Sequence, residues 1–222
     1  MSNELNNLQK AEHKKRLSAE ARCMLSQFEG RPVLADDIAR ETGGRPFFPD
    51  SDTDFSISHS GSLAAVSLVK GKNLRTGCDV ELVRPRSRAR EIAEEFFSAP
   101  ERDYIESQGR FDEARFYGIW TLKECFLKLR GLPVFDMAGA PSFICSCGGQ
   151  FAFGAAVSSP LSFNLYELSG NAGGRYMLAA AFEGTENEPV EIRWFSQESL
   201  ACKSIANIKA AINPAETVSP KI

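Results

Sequence analysis

Two carboxylates lie two positions apart in the segment Gly77-Cys78-Asp79-Val80-Glu81, within an alternating stretch, 74–83, that predicts a β-strand. Residues two apart on a strand point to the same face, so we expect the side chains of Asp79 and Glu81 to lie side by side. Adjacent carboxylates repel each other unless a cation lies between them, which makes the pair a natural seat for Mg²⁺. The alternative is a solvated strand face that carries two acids, and this motif by itself favours that alternative.

A second set of residues recurs every four positions, at Phe116, Trp120, Glu124 and Lys128. This spacing predicts one stripe along a helix. The two aromatic residues anchor the stripe in a core, and the acid and the lysine follow where the stripe should still be partly covered. Burying a charge costs free energy unless the charge is paired, so the change from apolar to polar indicates a functional surface. The alternative is an exposed Glu–Lys pair that contributes only about 0.2–0.5 kcal/mol.

The end of another predicted strand carries the sequence Ser58-His59-Ser60-Gly61. Hydroxyl groups, an imidazole and a glycine backbone together suit the binding of a phosphate or another anion. Nucleophilic catalysis by Ser58 or Ser60 with His59 is a second interpretation, but the GxSxG spacing is absent and no partner acid for His59 is evident. A merely polar strand end is the third. We favour anion binding over both.

Basic residues cluster in three places: Lys14-Lys15-Arg16, Arg45 and the arginines of 84–90. Each of them taken alone is typical of a solvated surface. Near a diphosphate, however, an arginine would serve as a ligand contact, because its guanidinium group binds phosphate through two parallel hydrogen bonds. The 84–90 cluster also suits an acidic protein partner.

The predicted elements run from helices to strands twice, which favours two α+β halves. We assign 1–90 to the first half, 91–200 to the second and 201–222 to a tail of uncertain structure, with no strong pattern after about 203. The predicted helices are 4–28, 91–97, 99–107 and 112–130, with a possible helical stretch at 34–40. The predicted strands are 54–58, 63–70, 74–83, 142–147, 150–157, 161–168, 175–183 and 191–195.

Composition excludes several classes of protein. The chain has 222 residues, 43% of them hydrophobic and 25% charged, with a formal net charge of −3, so we expect a globular protein and not a dedicated nucleic-acid binder. No apolar run approaches the roughly 20 residues that span a bilayer, and the first twenty residues lack the apolar core of a secretory signal. Six cysteines without a CxxC pair and only two histidines argue against zinc and favour a reducing cytoplasm.

The order of five motifs resembles that of the 4′-phosphopantetheinyl transferase family, in particular its longer, monomeric type, which serves the carrier domains of peptide and polyketide synthases. The family has a G-[VI]-D-[VI]-E strand, then W-[ST]-x-K-E-x-x-x-K-x-x-G. It also has upstream G-[KR]-P and N-[LI]-S-H-S segments, and an F-F-[ST]-x-x-E segment. In this chain the corresponding segments are 77–81, 120–131, 44–46, 56–60 and 96–101. Departures include Ser56 in place of asparagine and Cys78 in place of an aliphatic residue.

The resemblance implies a fold of two similar α+β halves related by a pseudo-twofold axis, with the active site in the cleft between them. It implies transfer of 4′-phosphopantetheine from coenzyme A to a serine of an apo acyl or peptidyl carrier protein, with Mg²⁺ (Mn²⁺ is possible) and release of adenosine 3′,5′-bisphosphate. The implied metal ligands are Asp79, Glu81 and Glu124. Glu124 and Lys128 are the implied catalytic residues, and the implied coenzyme A contacts are Arg16, Arg45, Ser58, His59, Lys123 and Lys128.

Two other hypotheses stay open at this point. One is a homologue that binds coenzyme A or a carrier protein without turnover. The other is an unrelated Mg²⁺-dependent phosphodiesterase that uses the same acids. For the leading hypothesis we expect a cytoplasmic monomer that binds neither nucleic acid nor membrane.

Overall fold

The structure is a computed structural model that describes residues 2–145, 151–153, 160–169, 174–184 and 201–209. It combines helices and sheets, as the α+β prediction requires. The helices are α1 (Ser2–Glu29), α2 (Ala89–Phe96), α3 (Ala99–Glu106) and α4 (Glu113–Arg130), with 3₁₀ turns at Ala35–Asp37 and Val134–Gly139. The strands are β1 (Ala39–Arg40), β2 (Pro46–Phe47), β3 (Thr53–Ser60), β4 (Leu63–Lys70), β5 (Arg75–Leu82), β6 (Phe143–Cys145), β7 (Phe151–Phe153), β8 (Leu161–Ser169), β9 (Arg175–Glu183) and β10 (Ala201–Lys209).

A four-stranded antiparallel sheet with the order β10-β8-β9-β5 forms the centre of the fold. It joins β5, which precedes residue 90, to three strands that follow that residue. Helix α4 packs against β5 and β9. The core between helix and sheet includes Phe116, Ile119 and Leu122 from α4 with Phe163 and Ala179 from the sheet, all of them fully buried.

Helix α4 and strand β5 approach each other closely at Gly77. A Cβ atom at this position would lie 2.4 Å from the carbonyl oxygen of Cys125 and 2.8 Å from the backbone nitrogen of Leu129. Any larger residue would therefore push the strand away from the helix. The glycine that begins the acidic motif thus sets the distance between the two elements that carry Asp79, Glu81, Glu124 and Lys128.

The hairpin of β3 and β4 lies beside β5 and meets it through side chains. Three backbone N–H groups of β5, those of Thr76, Val80 and Leu82, donate to side-chain oxygens of Asp54, Ser58 and Ser60 on β3. Each donor follows its acceptor by 22 residues, so the two strands run parallel. We call this set of contacts the side-chain ladder. On the far side of the hairpin, α1 packs against β4.

The predicted helices and most predicted strands are confirmed, with ends that differ by a few residues. Helix α4 begins after Asp112, whose carboxylate accepts the N–H groups of Ala114 and Arg115, and ends at Gly131 in the left-handed conformation (φ 67°). The stretch 34–40 forms a 3₁₀ turn and a two-residue strand. Strand β10 occupies 201–209, where no pattern predicts a strand. Several predicted segments lie outside the described residues: the strand 191–195, residues 146–147 of the strand 142–147, residues 150 and 154–157 of the strand 150–157, and the tail beyond 209.

Candidate active site

Residues of β3, β5 and α4 meet around the carboxylate of Asp79, which is 3% exposed. The ammonium nitrogen of Lys128 lies 2.6 Å from Asp79 Oδ1, and the Ser58 hydroxyl donates to the same oxygen at 2.7 Å. Lys128 also donates to Ser58 Oγ at 2.9 Å. The strand motif and the helix stripe, which are distant in sequence, therefore share one cluster.

The second acid of the strand, Glu81, points to the same face of β5 as predicted. The hydroxyl of Ser60 donates to Glu81 Oε2 at 2.7 Å. Burial, with the charge of Asp79 as the next cause, raises the pKa of Glu81, and the hydrogen bond from Ser60 opposes this shift. The two carboxylates are therefore close enough to repel each other.

Glu124 completes the acidic group from the helix. It is 9% exposed, so the buried stripe of α4 carries an acid as the sequence pattern indicates. Burial raises the pKa of Glu124 to about 7, with a further contribution from the negative charge of Asp79 and a smaller one from Glu81; Lys128 acts in the opposite direction. A carboxyl group with a pKa near 7 can exchange a proton at neutral pH.

Lys128 carries a positive charge into this acidic group. Burial lowers the pKa of its ammonium group, but the charge of Asp79, the hydrogen bond to Asp79 and the charges of Cys78 and Glu124 together outweigh burial and raise the pKa above its usual value. Lys128 is therefore a permanent cation at neutral pH. Its contact with Oδ1 leaves Asp79 Oδ2 buried without a hydrogen-bond partner.

The donor set fits a hard divalent cation. Carboxylate oxygens are the ligands that Mg²⁺ prefers, and one carboxylate oxygen of this group, Asp79 Oδ2, is buried without a hydrogen-bond partner. A bound cation would also relieve the mutual repulsion of the three acids. In the ranges that the structure describes, however, no three acidic, histidine or cysteine side chains converge closely enough to form a metal centre. The three carboxylates therefore influence one another electrostatically, but in this structure they do not surround a single metal position.

Lys123 lies elsewhere, although the resemblance implies a coenzyme contact for it. Its ammonium group lies 3.2 Å from Glu101 Oε2, and both side chains are essentially inaccessible to solvent. It also donates to the carbonyl oxygen of Pro141 at 3.2 Å. Successive helix residues differ by about 100° in direction, so Lys123 faces α3 while Glu124 faces the acidic group. The structure does not bring Lys123 to the cluster.

Arg45 is also part of the scaffold rather than of an open ligand surface. It forms two hydrogen bonds with the Asp54 carboxylate, at 2.8 and 2.7 Å, and is 5% exposed. It donates further to the carbonyl oxygens of Thr76 and Lys128. Four of the five N–H groups of the guanidinium are thus used within the protein. Arg45 ties β3 and β5 to the end of α4, so its position differs from the coenzyme contact that the resemblance implies.

The remaining predicted contacts divide between buried and exposed positions. Ser58 is 5% exposed, and its hydroxyl is engaged with Asp79, Lys128 and the N–H of Val80. His59 is exposed near the end of β3. Arg16 is exposed on α1, close to a bond between His13 Nε2 and the carbonyl oxygen of Gly61. That bond brings the basic segment of α1 to the turn after His59.

Sequence reasoning missed the scaffold partners Glu101 and Asp54. Glu101 accepts the N–H groups of Ser98 and Phe143 and pairs with Lys123. The only signal for Glu101 in the sequence was its place in the F-F-S-x-x-E segment, and that position is also explained by a capping box with Ser98 at the start of α3. Asp54 is the first predicted strand residue, and no feature of the sequence identified it as the partner of Arg45.

The buried position of Lys123 leads to a prediction about stability. We expect Lys123→Met to lower the free energy of unfolding by about 3–5 kcal/mol, because it leaves the Glu101 carboxylate buried without its counter-charge. The double variant Lys123→Met with Glu101→Gln should recover much of this loss. Chemical denaturation measures both. A Lys123→Met protein of normal stability with weakened coenzyme A binding would contradict the scaffold assignment.

Comparison with known proteins finds relatives of the segment that carries the three acids and Lys128. Residues 75–151 match the model of the 4′-phosphopantetheinyl transferase superfamily. The chain is 33% identical over 99 residues to 4′-phosphopantetheinyl transferase AcpT of Salmonella typhimurium, an alignment that covers 44% of this chain and 50% of the relative. It is 34% identical over 90 residues to 4′-phosphopantetheinyl transferase Sfp of Bacillus subtilis, which covers 40% and 38% of the two chains.

The chain therefore matches about half the length of the AcpT relative and less of Sfp. The matched segment 75–151 contains β5 and α4, and with them Asp79, Glu81, Glu124 and Lys128. It does not include α1 or the hairpin of β3 and β4. Over the segment that carries the acids and the lysine, this chain is similar to the 4′-phosphopantetheinyl transferase superfamily.

Proposed function

We propose that this protein transfers 4′-phosphopantetheine from coenzyme A to a serine hydroxyl of an apo acyl or peptidyl carrier protein, in a reaction that depends on Mg²⁺. The observation that supports it best is the cluster at the junction of β3, β5 and α4. Three carboxylates and one lysine with a raised pKa are concentrated there, within the segment that matches the transferase superfamily.

The chemistry is a displacement at phosphorus. The carrier serine oxygen forms a bond to the β-phosphorus of coenzyme A, and the bond from that phosphorus to the bridging oxygen breaks. Adenosine 3′,5′-bisphosphate leaves with the electron pair. Such a reaction needs positioning and charge neutralisation more than a protein nucleophile. This accords with the buried thiols Cys78 and Cys125, whose pKa values burial raises.

Each residue of the cluster has a distinct task in this proposal. Asp79, Glu81 and Glu124 would hold the cation, which when bound neutralises charge on the diphosphate. Lys128, a permanent cation, would stabilise the negative charge of the transferring group. Glu124, whose pKa is about 7, would receive the serine proton directly or through water.

The nucleotide end of coenzyme A would lie toward α1. His59 and Arg16 are exposed near the same turn, where the bond between His13 and Gly61 joins α1 to the hairpin. A groove along α1 is lined by residues that include Lys14, Lys15 and Arg22. Cationic and imidazole groups of this kind suit phosphate oxygens.

The organisation of the chain is also part of the proposal. We infer halves at 1–90 and 91–200 related by a pseudo-twofold axis, with β5 joining the sheet of the second half. We also propose a monomeric transferase of the longer type in the cytoplasm. The free, buried cysteines 78 and 125 accord with that reducing compartment. Among the described helices, none is long and apolar enough to cross a bilayer.

The direct test is intact-mass analysis of several apo carrier proteins after incubation with this protein, coenzyme A and Mg²⁺. We expect one phosphopantetheine added per carrier, and no addition when a chelator removes the metal. Coenzyme A binding by calorimetry without any transfer would instead indicate a binding homologue. Phosphopantetheine released into water without a carrier would indicate a phosphodiesterase.

A further inference from the structure

Two serines of β3 make matching contacts with the two acids of β5. Ser58 Oγ donates to Asp79 Oδ1, and Ser60 Oγ donates to Glu81 Oε2, each at 2.7 Å. Both serines also accept a backbone N–H of β5, Ser58 from Val80 at 3.2 Å and Ser60 from Leu82 at 3.1 Å. The same arrangement thus occurs twice, two residues apart along both strands.

The direction of these hydrogen bonds is fixed by chemistry. A backbone N–H can only donate, so each serine oxygen accepts there and has one hydrogen to give elsewhere. An ionised carboxylate can only accept, so that hydrogen points to the acid. The result is a pair of relays in which a rigid strand N–H orients a hydroxyl and the hydroxyl orients a carboxylate.

The relays constrain one oxygen of each carboxylate. Asp79 Oδ1 receives both Ser58 and Lys128, whereas Oδ2 is buried and unpartnered. For Glu81, the oxygen fixed by Ser60 is Oε2. Fixing one oxygen by a hydrogen bond sets the direction of the other, which is how outer partners orient the ligands of a metal site.

We propose that Ser58 and Ser60 are positioning residues that aim Asp79 and Glu81 at a divalent cation, in place of the coenzyme phosphate contact that the Ser-His-Ser sequence first indicates for Ser58. This inference rests on the proposed function, because it assumes the cation of that reaction. Ser60 is the cleaner of the two positions for a test, since Ser58 also contacts Lys128.

The test uses the full-length protein with coenzyme A and Mn²⁺ as the metal probe, titrated by electron paramagnetic resonance of free Mn²⁺. We expect Ser60→Ala to weaken Mn²⁺ binding about 10- to 100-fold, the usual effect of losing an outer partner of a metal ligand. Ser60→Thr keeps the hydroxyl and should stay close to wild type. The apparent Mg²⁺ requirement for transfer should rise in parallel for Ser60→Ala, with kcat at saturating Mg²⁺ changed less.

Ser67→Ala is the matched control. Ser67 is a buried serine on β4 whose hydroxyl accepts from Thr76 Oγ1. The Ser67→Ala protein should bind Mn²⁺ like wild type. Thermal unfolding should show that Ser60→Ala, Ser60→Thr and Ser67→Ala are all folded.

The outcomes separate this inference from the proposed function. Wild-type protein that transfers phosphopantetheine and binds Mn²⁺, with Ser60→Ala equal to it in Mn²⁺ affinity, would overturn the positioning role alone. If Ser67→Ala weakens Mn²⁺ binding as much as Ser60→Ala does, the positioning role is overturned as well, since loss of any buried hydroxyl would then have the same effect. Wild-type protein that neither binds Mn²⁺ nor transfers would overturn both.

Discussion

Replacement of Asp79 by asparagine should reduce phosphopantetheine transfer by more than about 100-fold. Asparagine has the size of aspartate and can still accept the hydrogen bonds from Ser58 and Lys128 at Oδ1. It lacks the charge that would hold a cation, and it converts the orphaned Oδ2 into a neutral amide nitrogen. Intact-mass analysis of the carrier over time measures the rate.

The control for this prediction is Asp103→Asn, an exposed acid on α3, which should transfer at the wild-type rate. Circular dichroism should show that both variants are folded, because the isosteric change at Asp79 leaves the packing of β5 and α4 unchanged. A wild-type rate for Asp79→Asn at low Mg²⁺ would refute the assignment of Asp79 as a metal ligand.

Replacement of Glu124 by glutamine should lower turnover far more than it lowers coenzyme A affinity. The carboxylate is the proposed acceptor of the serine proton, and losing a general base costs about 10²- to 10⁴-fold in rate. Steady-state kinetics gives kcat, and calorimetry gives the coenzyme A dissociation constant. Equal losses in both quantities would indicate that Glu124 serves binding only.

The same substitution should stabilise the metal-free protein at alkaline pH. The Glu124 carboxyl ionises near its ordinary pKa of 4.5 when unfolded and near 7 when folded. Between these values the folded state holds the extra proton, so the free energy of unfolding falls as pH rises from about 4.5 to about 7. Glutamine avoids this penalty, and we expect Glu124→Gln to be more stable by up to about 3 kcal/mol at pH 8 and equal to wild type near pH 4.

Glu113→Gln supplies the contrast for the stability prediction. Glu113 is the first residue of the same helix, where a negative charge interacts favourably with the helix dipole. Its replacement should slightly lower the free energy of unfolding at pH 8, opposite in sign to the effect at Glu124. Denaturant titrations of the metal-free proteins at pH 4 and pH 8 measure both. A Glu124→Gln protein no more stable than wild type at pH 8 would contradict the raised pKa.

Regular spacing in the sequence was sufficient to predict the main parts of the site. Alternation predicts the common face of Asp79 and Glu81, and the four-residue spacing predicts the stripe that buries Trp120 and presents Glu124. Both are local periodicities, which the backbone geometry of a strand or a helix converts directly into direction. That Asp79 meets Lys128 depends on the close approach allowed by Gly77, which the sequence pattern does not reveal.

The partners of the charged residues could not be predicted in this way. Lys123 and Arg45 carry the charge that a phosphate ligand needs, yet Glu101 and Asp54 already satisfy them. A charge pattern shows that a residue needs a partner and does not say whether the partner is a ligand or another side chain. Strand β10 was not predicted for another reason. Its pairing with β8 shifts register between Ser204 and Ala206, and such a shift interrupts the two-residue alternation by which a strand is predicted from sequence.

The side-chain ladder makes the alignment of β3 and β5 depend on residue identity. Pairing between two backbones is nearly indifferent to sequence, whereas here the N–H groups of Thr76, Val80 and Leu82 need oxygen-bearing side chains opposite them. Slippage of β3 by one residue would place Phe55 opposite the N–H of Thr76 in one direction, or Ile57 opposite the N–H of Val80 in the other, and neither side chain can accept a hydrogen bond. The alternation of polar and apolar residues along β3 therefore disfavours a one-residue shift between the two strands.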